Sequence, residues 1–196
     1  KSESNAIKSS GSAFTLNNSG VIETSTNNAT ISWSGTGTIY NLAGGVIKSI
    51  GAAIESSGSD HKIKNSGSIE SEGSYAIKST GARVEIINGT GNEASDSDAT
   101  DGDGLLIDSI IQAKNYGIYS SGAAAEIENH GEIIAEEQYA IQSIGSSATI
   151  TNNNKISANS IAIASDGSAA TVTNYSDITA NSYGIFSSGV GSTIKN

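Results

Sequence analysis

The stretch Tyr116-Gly117-Ile118-Tyr119-Ser120-Ser121-Gly122, continued by Ile127-Glu128-Asn129 and Ile133-Ile134-Ala135, is one cycle of a pattern that runs the length of a 196-residue chain. Its most regular mark is a triplet of Ile (or Leu or Val), any residue, and Asn. The triplet ends at Asn18, Asn41, Asn65, Asn88, Asn129, Asn152, Asn174 and Asn196. The cycles are 22 to 24 residues long, apart from one that is interrupted. A residue that returns this strictly is expected where a chain coils and stacks like positions on one another, which is the signature of a solenoid.

Each cycle carries three short apolar beats. The first is Ile7, Ile31, Ile54, Ile77, Ile118, Ile141, Ile163 and Ile185; the second is Leu16, Ile39, Ile63, Ile86, Ile127, Ile150, Val172 and Ile194; the third is Ile22, Ile47, Ile69, Ile111, Ile133, Ile156 and Ile178. Around each beat the residues alternate, as in Tyr183-Gly184-Ile185-Phe186-Ser187, so the beats read as strands with a period of two. A 3.6-residue rhythm is missing and Ser, Asn, Thr and Gly fill the gaps, which excludes helices. The expectation is an all-β parallel β-helix of about eight turns with three strands per turn, stacked roughly 4.8 Å apart into a rod on the order of 38 Å long.

Three further columns accompany the beats. Two residues after the first Ile stand Ser9, Ser56, Ser79, Ser120, Ser143, Ser165 and Ser187, with Trp33 the exception. Two residues beyond these, Gly recurs at Gly11, Gly35, Gly58, Gly81, Gly122, Gly145, Gly167 and Gly189. The expected reason for this Gly is a sharp corner that needs positive φ, and Asn would accept the same conformation at the second corner. Each Asn amide is also expected to donate to the Asn of one adjacent turn and accept from that of the other, as an internal ladder. Tyr75, Tyr116, Tyr139 and Tyr183 precede the first Ile by two, with Ile161 in the same slot. A sugar-stacking platform is one reading of this column; alternation favours a Tyr stack in the core or at its edge.

No Cys, Pro or Met occurs, which removes disulfides and thiolate metal sites. No run of about 18 apolar residues is present, and Lys1-Ser2-Glu3 does not open a signal peptide. Residues 1–196 are expected to form one β-helix segment; neither terminus reads as a polar cap, so the expectation is a piece of a longer protein. The net charge of −10 argues against nucleic acid and anionic membrane surfaces as partners.

The interruption lies between Ile86 and Ile111, which are 25 residues apart where the usual spacing is six, as from Ile127 to Ile133. The inserted stretch, about residues 89–109, carries Glu93, Asp96, Asp98, Asp101, Asp103 and Asp108 with no Lys or Arg. Repeat proteins place such insertions outside the rod, where they meet other molecules. An exposed recognition loop, a calcium-ordered loop and a disordered, charged excursion all fit this composition. Asp96, Asp98, Asp101 and Asp103 are the calcium candidates. Asp96-x-Asp98-x-Thr100 copies the opening of an EF-hand loop, but Asp101 stands where that loop needs Gly and Ile107 where it needs Glu. Leu105-Leu106-Ile107 suggests that the end of the insertion packs back on the rod.

A catalytic constellation is not evident. His61 and His130 fall at different phases and read as surface turn residues, and Arg83 is the single arginine. Glu126, Glu128, Glu132, Glu136 and Glu137 gather within one cycle, with Asp177 and Glu70 candidates for the same face; β-helical polysaccharide hydrolases use two or three carboxylates in this way. Neighbouring turns carry Thr149, Thr151, Thr171 and Thr173 rather than aromatic subsites, which favours a solvated acidic face. Phosphate loops, nucleophile elbows and HExxH are absent.

Tyr116 to Gly122 followed by Ile127-Glu128-Asn129-His130-Gly131-Glu132-Ile133-Ile134-Ala135 resembles the repeat of bacterial autotransporter passenger domains, and the resemblance recurs at Tyr139 to Ala158, Ile161 to Ala180 and Tyr183 to Asn196. It implies a right-handed parallel β-helix at the bacterial cell surface or secreted, exported through an outer-membrane β-barrel that this sequence does not contain. Absence of Cys suits a chain threaded unfolded through a periplasm. Passengers of this type include adhesins, toxins and receptor ligands, so the resemblance specifies architecture better than activity. Together with the exposed acidic loop and the lack of a catalytic constellation, it leads to the expectation of a non-enzymatic adhesin or virulence factor that binds a host cell-surface protein or glycan, or a neighbouring bacterial cell; the expected cofactor is none, apart from calcium in the acidic loop. The alternative is a carbohydrate-active β-helix that uses the Glu126 to Glu137 carboxylates.

Overall fold

The computed structural model describes residues 4–89 and 109–196. Three parallel sheets wrap a common interior, and among the described residues they hold eight, eight and seven strands. The first sheet stacks Ile7–Ser9, Ile31–Trp33, Ile54–Ser56, Tyr75–Ser79, Tyr116–Ser120, Tyr139–Ser143, Ile161–Ser165 and Tyr183–Ser187. The second stacks Phe14–Asn18, Gly37–Asn41, His61–Asn65, Glu85–Asn88, Glu126–Asn129, Thr149–Asn152, Thr171–Asn174 and Thr193–Lys195. The third runs from Val21–Thr24 through Val46–Ser49, Ser68–Ser71, Ile110–Ala113, Glu132–Ala135 and Ile156–Ala158 to Ile178–Ala180. Seven turns are thus three-stranded, and an eighth contributes two strands.

Register follows the beats. Ile118 pairs with Ile77 and Ile141, Ile127 with Ile86 and Ile150, and Ile133 with Ile111 and Ile156. All of these isoleucines are buried and form one continuous core. Each contributes about 1.5–3 kcal/mol relative to an exposed side chain, and each packs on its copies above and below.

The Gly column has a different cause from the one expected. None of its members has positive φ. A Cβ at Gly81 would stand 1.6 Å from the Gly58 carbonyl oxygen, one at Gly122 1.8 Å from that of Gly81, and one at Gly145 2.0 Å from that of Gly122. Successive turns approach too closely at this corner for any side chain. Positive φ falls two residues later, at Ala13, Gly37, Asp60, Arg83, Ala124, Ser147, Ala169 and Gly191. The chain turns there through residues that mostly carry a Cβ, each strained by about 1–2 kcal/mol.

The Asn column also keeps ordinary φ; its contribution is hydrogen bonding. Nδ2 of Asn18 donates to Oδ1 of Asn41, and the same bond repeats through Asn65, Asn88, Asn129, Asn152 and Asn174 to Asn196, at 2.7–2.9 Å. The remaining amide hydrogen reaches corner carbonyls such as those of Gly67 and Ile110 from Asn65, and Asn65 Oδ1 accepts from the Gly67 backbone N–H. The ladder ties each turn to the next and satisfies the corner backbone together.

His61 is not a surface turn residue. Its ring is fully buried, packed 4.8 Å from the ring of Trp33, with Nε2 2.8 Å from Ser56 Oγ and 3.3 Å from Ser79 Oγ. Trp33, which replaces Ser in its column, also meets Phe14 at 5.4 Å. Three aromatic rings therefore fill the early turns where small residues fill the later ones. Burial lowers the His61 pKa, opposed in part by the Gly58 backbone and the Asp60 carboxylate.

Candidate functional site

The insertion interrupts the corner between the second and third sheets. In the turn below, this corner is Asn65-Ser66-Gly67-Ser68; in the turn above it is Asn129-His130-Gly131-Glu132. Asn88 and Gly89 occupy the first two places of the corner and Ser109 the third. The Ile110 N–H donates to the Gly67 carbonyl and the Glu132 N–H to the Ser109 carbonyl, so Ser109 and Ile110 lie in register with both neighbours. The Asn88 carbonyl accepts from the N–H groups of His130 and Gly131, and its amide donates to the Ser109 carbonyl at 3.3 Å. Gly89, at φ 85°, is needed for that conformation and for its approach to the His130-Gly131 backbone. The rod thus closes its corner with Gly89 and Ser109, and the inserted stretch is residues 90–108. Glu93, Asp96, Asp98, Asp101, Asp103 and Asp108 lie outside the described residues.

A cavity of about 370 Å³ adjoins this corner on the outer face of the second sheet, lined by Tyr40, Leu42, Lys64, Ile87, Glu128 and His130 among others. Tyr40, Lys64, Ile87 and Glu128 form one outward column across four successive turns. Tyr40 and Leu42 are exposed, at 36% and 42%. His130 Nε2 stands 2.8 Å from Glu128 Oε1. The cavity wall therefore combines apolar surface with one cation and a carboxylate–imidazole pair. Sequence reasoning passed over Tyr40, Leu42 and Ile87; the available signal was that Tyr40 and Ile87 occupy the x of the Ile-x-Asn triplet, a solvent-facing place that elsewhere holds polar residues.

The carboxylates proposed as an alternative site are dispersed. Glu126 and Glu128 project from the second sheet, where Glu126 pairs in register with Glu85 and Thr149. Glu132 meets Lys155 at 2.6 Å, Glu136 accepts from Gln112 at 2.9 Å and Glu137 faces Lys114 at 3.4 Å, so these three are engaged separately on and beside the third sheet. The hydrogen bond and charge of Glu132 raise the Lys155 pKa. Among the described residues no three His, Asp or Glu side chains come together as a metal-holding group.

The Tyr column lies at the core's edge. Tyr75 and Tyr116 stack at 4.8 Å and 19°, and Tyr116 and Tyr139 at 5.5 Å and 19°, all half-buried. Tyr119, on the outer face, tilts against Tyr75 at 5.5 Å. Burial raises the Tyr116 pKa, so its hydroxyl stays protonated. Comparison of the chain with family models, with curated proteins and with solved structures returned no match.

Proposed function

We propose that this chain is a surface-exposed or secreted passenger segment of the autotransporter type, a non-enzymatic rod that binds a host cell-surface protein or glycan, or a neighbouring bacterial cell, through the corner that carries residues 90–108. The observation that carries the reading is the seating of the insertion: 19 residues are added between Gly89 and Ser109 while every strand above and below keeps its register. A solenoid gains nothing in stability from such an addition, and an exposed cavity with apolar and charged walls lies beside it. Calcium held by Asp96, Asp98, Asp101 and Asp103 is a subsidiary proposal within the same loop.

Capture of host-cell surface proteins by the purified chain, with and without residues 90–108, tests the reading. Binding should fall at least about tenfold in the deleted form. Unchanged binding would move recognition to the flat faces of the rod. Polysaccharide cleavage abolished by Glu132→Gln would replace the adhesin with the carbohydrate-active alternative.

A further inference from the structure

The Tyr stack ends abruptly, and a groove begins where it ends. In the register that pairs Ile31, Ile54 and Ile77, the places matched to Tyr75 are Ala52 and Ala29. Tyr116 covers one side of the Tyr75 ring. Beyond Tyr75, where Ala52 and Ala29 leave no ring to continue the stack, lies a cavity of about 360 Å³ floored by Ala29, Gly51 and Ala52. Its rim is polar on both sides: Asn27 and Asn28 from the corner after the third sheet, Ser32, Glu55 and Lys78 from the outer face of the first. Lys78 Nζ sits 2.7 Å from Glu55 Oε1 and 5.7 Å from the centre of the Tyr75 ring, which fixes one rim.

We propose that this groove is a carbohydrate subsite that takes one pyranose ring of a glycan. The C–H face of a pyranose is apolar and packs on an aromatic ring, while its equatorial hydroxyls need donors and acceptors around the edge. Tyr75 supplies the ring. The carboxamides of Asn27 and Asn28, the Ser32 hydroxyl and the Glu55–Lys78 pair supply both kinds of hydrogen-bonding group. A volume of this size holds one or two sugar rings rather than a folded epitope. An aromatic ligand would satisfy Tyr75 and leave that rim unused. Tyr116 is excluded as a platform because Tyr75 and Tyr139 cover both of its faces. The groove lies between the third and first sheets, the insertion between the second and third, so this inference does not depend on the reading of the insertion corner.

The test is titration of the purified chain with a panel of simple sugars (methyl β-galactopyranoside, methyl β-glucopyranoside, methyl α-mannopyranoside and N-acetylglucosamine), followed by NMR of the Tyr75 ring protons. Two variants are compared: Tyr75→Ala removes the platform, and Ala52→Tyr fills the groove by extending the stack by one ring. At least one sugar should give a saturable shift in the unmodified chain, weakened about tenfold or more in Ala52→Tyr and lost with the ring in Tyr75→Ala as read on groove amides. Should Tyr75→Ala fail to fold, Ala52→Tyr decides alone. No saturable shift with any sugar, or a shift that survives Ala52→Tyr, overturns the subsite. Saturation by phenol or tetramethylammonium and by none of the sugars overturns the carbohydrate assignment. The chain lacking residues 90–108 should bind the same sugar unchanged, which separates failure here from failure of the insertion corner.

Discussion

At the scale of the residue, each invariant column is held by a different force, and the forces predict different responses to mutation. Asn152 donates to Asn174, accepts from Asn129 and is fully buried, whereas Asn196 only accepts, from Asn174, at an exposed end. Asn152→Ala should therefore cost more than Asn196→Ala by about 1–2 kcal/mol in chemical denaturation, because it strands two amides as well as removing its own. Equal losses would mean that the ladder contributes nothing. Gly145 and Ser147 form a second contrast two residues apart. Gly145→Ala drives a Cβ to within 2.0 Å of the Gly122 carbonyl oxygen, a backbone atom that cannot swing aside, and should cost about 1–3 kcal/mol or more. Ser147→Gly, at φ 58° on the exposed corner, should stabilise the rod by up to about 1 kcal/mol, the relief of left-handed strain outweighing the added freedom of the unfolded chain. Loss of stability in Ser147→Gly would show that the corner is unstrained. The recurrence of Gly was visible in the sequence, but its cause was not: spacing shows that a side chain is forbidden, not whether dihedral or neighbour forbids it.

At the scale of the element, alternation carries most of what was legible and also what was overlooked. Strand positions, sheet membership and register follow from the three beats, because a period of two fixes which face each side chain takes. The same rule places His61 inward, since it stands two residues before Ile63; its polarity is what made it read as a turn residue. In the second sheet it is matched by Gly37 below and Val84 above, an interior column that otherwise holds apolar or small residues. Burial holds its pKa below the usual value near 6.5, so in the folded rod the imidazole stays neutral at pH values where the unfolded chain binds a proton. Stability is then fully present above about pH 6.5 and declines as pH falls below it, by at most about 1.4 kcal/mol per pH unit until the folded site itself protonates. Thermal melting of the wild type and His61→Val between neutral and mildly acidic pH checks this: the variant, which copies Val84, should lose the His61 part of the slope. An unchanged slope would assign the pH dependence to the carboxylates. The column Tyr40, Lys64, Ile87 and Glu128 was legible as the middle place of four successive triplets; that it borders a cavity was not, since Leu42 and His130 join it only where the corners close.

At the scale of the whole molecule, a solenoid holds together through nearest-neighbour contacts, so an addition at one corner is tolerated when the chain leaves and returns at adjacent points. Both points are defined by hydrogen bonds. The Asn88 carbonyl holds the His130 and Gly131 N–H groups, the Ser109 carbonyl holds the Glu132 N–H, and the Asn88 amide joins the two sides. Direct ligation of Gly89 to Ser109 would give the corner Asn88-Gly89-Ser109-Ile110, the same length as Asn65-Ser66-Gly67-Ser68, and would restore the six-residue spacing between the second and third beats. The chain lacking residues 90–108 should therefore fold without a linker. Its circular dichroism should remain that of a β-rod, and its melting temperature should match or slightly exceed that of the intact chain, since closing a shorter loop costs less entropy. The deletion also removes the six acids of the insertion and cuts the formal charge from −10 to −4, which lessens self-repulsion in the same direction. Failure of this shortened chain to fold would make the insertion part of the rod's own stability, and its proposed role in recognition would then need a substitution of its acids rather than their removal.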